Sequence, residues 1–194
     1  MKKFLIVVGV VIAVVVFAII GFVAWAISVN NRLVTLQEGV HSAWGQVETV
    51  LQRRFDLIPN LVNTVKGYAA HESSAFENVT KARAAAMGAT GMADKGVAEN
   101  QLAGALKSVF AIAEAYPDLK ANQNFLSLQS ELTDTEDKIQ AARRFYNGNV
   151  RDFNTSIQVF PGSLIAGTFG FKQMEFFQLD ASDAAAKEPV EVKF

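Results

Sequence analysis

ANQNFLSLQSELTDTEDKIQAARRFYNGNVRDFNTSIQVF, residues 121–160, places Phe125, Leu128, Leu132, Thr135, Ile139, Ala142, Tyr146, Val150, Phe153, Ile157 and Phe160 at spacings of three and four. That is the period of one face of an α-helix, and no period-two alternation interrupts it. Forty residues at about 1.5 Å each predict a rod of about 60 Å. Only another long helix, or several shorter ones end to end, can cover such a stripe. Phe160-Pro161-Gly162 ends it, because Pro cannot continue a helix and Gly suits a left-handed cap.

Upstream, Leu33, Leu36, Val40, Ala43, Val47, Val50, Leu57, Leu61 and Val65 form a second long stripe. Pro59 lies inside it; its ring conflicts with the carbonyl of Phe55, which predicts a kink. Two shorter helices are predicted between the long ones. Ser73 to Met87 carries Phe76, Val79, Ala82 and Ala86 on one face, and Val97 to Tyr116 carries Leu102, Leu106, Val109, Ala113 and Tyr116. The segment Gly88 to Gly96, with three glycines, reads as their connector. The fold class is therefore all-α, an antiparallel bundle with long helices crossing at about 20°.

Farther upstream, Phe4 to Ile27 (FLIVVGVVIAVVVFAIIGFVAWAI) runs for 24 residues without a charge behind Lys2 and Lys3. As a helix it is long enough to cross a hydrocarbon core of roughly 30 Å. Ala24-Trp25-Ala26 offers a small-x-small pattern like that of a cleaved signal peptide, but the apolar run exceeds the roughly 7 to 15 residues of a signal core. An uncleaved transmembrane helix is expected, with Phe4, Phe17, Phe22 and Trp25 as its large anchoring side chains and the lipid bilayer as its partner. Between it and the second stripe the strongly polar residues are Asn30, Asn31 and Arg32 alone, so the two can form one helix. Lys2 and Lys3 precede the span while Arg32 alone follows closely, a bias that puts the N-terminus in the cytoplasm and the bundle outside it.

The organisation read from these patterns is an anchor over 1–28, a bundle over 29–162, an apolar segment over 163–180 and a disordered tail over 181–194. Without Lys2 and Lys3, the chain's 18 basic residues fall to 16 against 19 acidic ones, a balance that disfavours nucleic acid. The chain has no cysteine, so disulfides and a lipoprotein anchor are excluded.

Catalytic chemistry finds little purchase. Glu38 and His41 have the Glu-x-x-His spacing of di-iron bundles, but the one other histidine, His71, has Tyr68 three positions before it. No Gly-x-Ser-x-Gly elbow and no phosphate-cradling Gly-rich loop occurs. The sequence therefore supports neither an enzyme nor a cofactor. Arg54 is more informative, since it falls where the first long stripe asks for an apolar residue, with Arg53 and Asp56 beside it. A guanidinium near a core needs an acidic partner, and Asp56, Glu114, Asp118 and Glu136 are the candidates. Such a pair would fix register more than it adds stability.

Several blocks resemble the LemA family. Ala43-Trp44-Gly45-Gln46-Val47-Glu48, Leu51-Gln52-Arg53-Arg54-Phe55-Asp56-Leu57-Ile58-Pro59-Asn60-Leu61-Val62 and Val65-Lys66-Gly67-Tyr68 are similar to its first extramembrane helix. Ala113 to Asn122, with Tyr116-Pro117-Asp118 at its centre, is similar to the family's central turn. Arg143-Arg144-Phe145-Tyr146-Asn147, Asn154 and Phe160-Pro161-Gly162 are similar to its last helix. Two departures are visible: Asn30-Asn31 stands where a Tyr-Asn pair is common, and Gly148 interrupts the last helix.

The resemblance implies a bacterial single-span inner-membrane protein without agreed catalytic residues, some relatives being associated with magnetosome membranes. It also implies structural or partner-facing roles for Trp44, Arg53, Arg54, Asp56, Pro59, Asn60, Tyr116, Pro117, Asp118, Arg143, Tyr146, Asn147 and Asn154. Two functions follow as expectations. One is a scaffold that forms homo-oligomers at the membrane; the other is an adaptor presenting Tyr116-Pro117-Asp118 and the segment Leu164 to Leu179 to a membrane enzyme or protease. Leu164, Ile165, Phe169, Phe171, Phe176 and Phe177 are the candidate assembly residues. The alternatives for that segment are covering the open end of the bundle and re-entering the bilayer interface.

Overall fold

A computed structural model describes residues 2–69 and 71–178. The expectations for Leu179 and for the tail over 181–194 lie outside the described residues. Six helices and no strand occur among the described residues: α1 Lys2–Lys66, α2 Ser73–Gly88, α3 Met92–Glu114, α4 Pro117–Lys120, α5 Gln123–Gln158 and α6 Gly162–Phe169. The fold class is all-α with a long apolar N-terminal helix and bundle packing, as the periodicity predicts.

The segment Phe4 to Ile27 and the first stripe belong to one helix, α1, which also continues through Pro59. Asn30 and Asn31 do not interrupt it, and Gly148 does not interrupt α5. One or two poor helix formers cost about 1 kcal/mol or less each, too little to break a helix whose flanks are strongly helical. The connector before α3 is shorter than predicted, because α3 begins at Met92 and includes Gly96. Gly96 is there for packing: a Cβ on it would collide with the carbonyl oxygen of Gln178. Proline pre-set for a first helical turn starts α4 at Pro117, and its Leu119 is fully buried. Asn122 begins α5 by accepting the Phe125 N–H at 3.0 Å, while its amide donates to the Tyr68 hydroxyl at 2.9 Å.

The described residues form two compact units, one from 2–42 with 148–174 and one from 43–147 with 175–178. In the first, Leu33 and Val40 of α1 are buried, as are Val150, Phe153 and Ile157 of α5 and Ile165 and Ala166 of α6. The Phe160–Pro161 peptide is cis. Gly162 lets the chain turn tightly after α5, since a Cβ there would meet the Ser156 carbonyl oxygen. α6 ends at Gly170, whose N–H donates to the Ala166 carbonyl at 2.9 Å. In the second unit the predicted stripes supply the core: Val47, Leu51, Phe55, Ile58, Leu61 and Val65 from α1, Phe76 and Val79 from α2, Leu102, Leu106 and Val109 from α3, and Phe125, Leu132 and Ile139 from α5.

Candidate functional site

Arg54 lies on the buried face of α1 among Leu51, Phe55 and Ile58, and only 3% of it is exposed. Its Nη1 donates to Glu136 Oε2 of α5 at 2.8 Å, and its Nη2 meets Glu99 Oε2 of α3. Glu99 is 1% exposed, whereas Glu136 is 40% exposed. Burial pulls the Arg54 pKa below its ordinary value, and the charge and hydrogen bond of Glu136 oppose that fall. Burying charges costs several kcal/mol per ion, offset only by close opposite charge, so each member holds the others in place. These groups line a cleft of about 840 Å³ whose other polar walls include Lys107, Asp137, Gln140 and Arg143.

Of the four acids considered from sequence, Glu136 pairs with Arg54. Asp56 instead accepts from Gln52 Nε2 at 2.8 Å, and Glu114 and Asp118 are exposed. Sequence reading missed Glu99. The signal was present, because Glu99 stands three and seven residues before Leu102 and Leu106, on the apolar stripe of α3.

A second missed residue answers Pro59. Proline has no N–H, so the Phe55 carbonyl one turn earlier lacks its helical donor. Arg83 of α2 supplies one, donating Nε to the Phe55 oxygen at 2.7 Å. Asn60, exposed beside Pro59, gives its carbonyl to the Thr64 hydroxyl at 2.9 Å. Arg53, next to Arg54 but facing water, lies 3.7 Å from Glu131. Tyr116 is half-buried, and Pro117 and Asp118 are exposed at the start of α4.

The residues after α6 are held through their main chain. In the second unit Asn147 donates Nδ2 to the Phe177 carbonyl at 3.0 Å and accepts the Phe177 N–H at 2.9 Å, while the Tyr146 hydroxyl donates to the Glu175 carbonyl at 2.8 Å. Burial raises the Tyr146 pKa, with Glu175 adding to the rise. The Phe177 ring is fully buried, edge-on to Trp44 at 5.4 Å, and Trp44 also meets Tyr146 at 5.3 Å. Lys95 lies 5.0 Å from the Trp44 ring centroid and bonds Glu48 at 3.1 Å. In the first unit Asn154 makes the same two-bond contact with Met174, 2.8 Å in each direction. An Asn amide matches one donor and one acceptor of a peptide group and reads no side chain. The sequence resemblance singled out Asn147 and Asn154 without revealing what they hold.

The candidate anchoring residues Phe4, Phe17 and Phe22 are exposed, and Trp25 is half-buried. Phe22 and Phe160 flank Trp25 at 5.5 and 6.5 Å between ring centroids. The six candidate assembly residues divide. Leu164 and Phe169 are exposed, Ile165 and Phe177 are buried, and Phe171 and Phe176 are half-buried, Phe171 lying 6.3 Å from the Phe153 ring. Glu38 and His41 stand 3.7 Å apart on an exposed face. Among the described residues no group of three His, Asp or Glu side chains is placed to hold a metal ion.

The profile of the LemA family matches residues 43–194. Magnetosome protein MamQ 2 of Paramagnetospirillum magneticum is 26% identical over 189 residues, covering 84% of this chain and 70% of that protein. Magnetosome protein MamQ of Magnetospirillum gryphiswaldense is 25% identical over 193 residues, covering 86% and 71%. Protein LemA of Metamycoplasma hominis is 26% identical over 153 residues, covering 77% and 68%. With its bundle core built from the matched blocks and an apolar helix long enough to cross a membrane, the chain belongs to the LemA family.

Proposed function

We propose that this protein is a non-enzymatic, single-pass inner-membrane scaffold whose helical bundle self-associates at the membrane. The observation that carries the reading is α1, in which the uncharged span and the first bundle helix are one unbroken element without a linker. Such an element suits a protein that organises material at a membrane, and three of the relatives are named as magnetosome proteins. The buried Arg54–Glu99–Glu136 group supports the same reading, because it gives the bundle one register instead of a reactive centre. The charge bias of Lys2 and Lys3 favours a cytoplasmic N-terminus with the bundle outside.

Extraction from native membranes in mild detergent, followed by mass measurement, tests the assembly. A discrete homo-oligomer is expected. A strict monomer in every detergent overturns self-association, and stoichiometric crosslinking to one different protein replaces it with the adaptor role. A C-terminal reporter active in the cytoplasm overturns the orientation.

A further inference from the structure

Four large apolar side chains around the end of α5 and α6 are exposed: Val159 at 52%, Phe160 at 75%, Leu164 at 58% and Phe169 at 61%. They belong to a stretch, Phe153 to Phe171, that contains no charged residue and is followed at once by Lys172. In water this surface is unfavourable, at roughly 25 cal/mol per Å² of apolar area left uncovered. The same unit shows what lies beside it. The Phe160 ring lies tilted beside Trp25, the last aromatic residue of the uncharged span, and that contact is continuous through Trp25 with Phe22. α6 starts beside Leu33, since a Cβ on Gly162 would lie 3.7 Å from Leu33 Cδ2. From Trp25 to Leu33 is about 12 Å along the helix axis. A span ending near Ile27 puts this interval across the headgroup layer, where Trp is enriched and where amphipathic segments lie about 5–10 Å into the boundary.

We propose that α6 and the turn before it form a second membrane contact, an interfacial foot seated in the headgroup layer beside the span, with the lipid bilayer as its occupant. Phe160 and Trp25 mark the hydrocarbon boundary, Leu164 and Phe169 enter it, and Lys172 stays in the headgroup region. The foot rests on the membrane-span reading and adds to it a fixed depth for the start of the unit.

The absence of cysteine makes the test clean, because single introduced thiols are the only labels. The full chain in phosphatidylglycerol–phosphatidylethanolamine vesicles is spin-labelled at Leu164→Cys, Phe169→Cys, Phe17→Cys for the span and Asp134→Cys for water. Collision with oxygen and with a water-soluble nickel chelate gives depth. The expected result is a shallow lipid position for 164 and 169, deep for 17 and aqueous for 134. Aqueous behaviour at 164 and 169 with a deep label at 17 overturns the foot and leaves the span standing. An aqueous label at 17 overturns the span itself, and the foot with it. Labels at 164 and 169 shielded from both reagents, with spin–spin broadening at full labelling, assign this face to a second copy instead of lipid and also overturn the proposal.

Discussion

Residues 4–27 and 43–66 are two lengths of the same helix with opposite relations to their surroundings. In 4–27 the described large apolar side chains are exposed all around the helix, apart from Trp25, which Phe22 and Phe160 flank. In 43–66 the apolar residues are confined to one stripe, and Val47, Leu51, Ile58, Leu61 and Val65 are buried. Both lengths obey one rule, that apolar surface must leave water: the first has the length and composition to leave it for lipid, and the second leaves it for protein. The difference also shows in charge. The first length has none, whereas the second tolerates Arg54 on its buried face because Glu99 and Glu136 meet it there.

The sharpest way to break the comparison is to place charge in the first length. Val15→Asp with Val16→Asp should cost about 5–7 kcal/mol of insertion free energy, at roughly 2.5–3.5 kcal/mol per charge near the centre of a span. An alkaline carbonate wash should then release the chain. Gln46→Asp with Asn63→Asp, on the exposed face of the second length, should leave membrane retention unchanged. Full retention of the Val15/Val16 pair would show that 4–27 is not lipid-exposed.

Next in size is the buried charge of the second length. Arg54→Leu leaves Glu99 uncompensated at 1% exposure, and stability should fall by about 3–5 kcal/mol in denaturant unfolding. Adding Glu99→Leu should return most of that loss. Unchanged folding and unchanged assembly in Arg54→Leu would refute a register role for the group.

A smaller effect is expected at Pro59. Arg83→Met should cost about 2 kcal/mol by leaving the Phe55 carbonyl without a donor. In a Pro59→Ala background the helix regains its own N–H, and the same change should cost less than about 1 kcal/mol. Equal costs in both backgrounds would mean that Arg83 acts through something other than the carbonyl that proline orphans.

The smallest effect is one of pH. Burial and Glu175 raise the Tyr146 pKa above its ordinary value of 10.0, so the folded state holds that proton more tightly than the unfolded state. The stabilising contribution is complete below about pH 10 and is lost as pH rises from there through the folded value. Ultraviolet titration should show a tyrosine ionising above the ordinary tyrosine range, and Tyr146→Phe should remove that late step. If the late step survives in Tyr146→Phe, the shift belongs elsewhere.

Much of the fold could be read directly. The α5 stripe from Phe125 to Ile157 is the side that packs, and only its last member, Phe160, is exposed, because the helix has already ended at Gln158. The site was less legible. Arg54 could be found because it breaks an apolar period on its own helix, but the identity of its partner depends on which helix face lies opposite. Arg83 gave no sign within Ala-rich α2, since its role is set by a proline 24 positions earlier. Gly96 reads as a breaker by its type and proves to be a contact point with Gln178.

By itself the sequence determined what is local or periodic: the all-α class, the uncharged span, the faces that must be buried and the family to which the chain belongs. Helical period, charge and length each act within a few turns of one segment and need no knowledge of any other. Tertiary structure alone decided the partnerships: Glu99 for Arg54, Arg83 for Phe55, Asn147 for Phe177, Asn154 for Met174 and Trp25 for Phe160. Those depend on which groups from distant segments meet in space, and a buried polar group is satisfied by whatever donor or acceptor packing brings within about 3 Å.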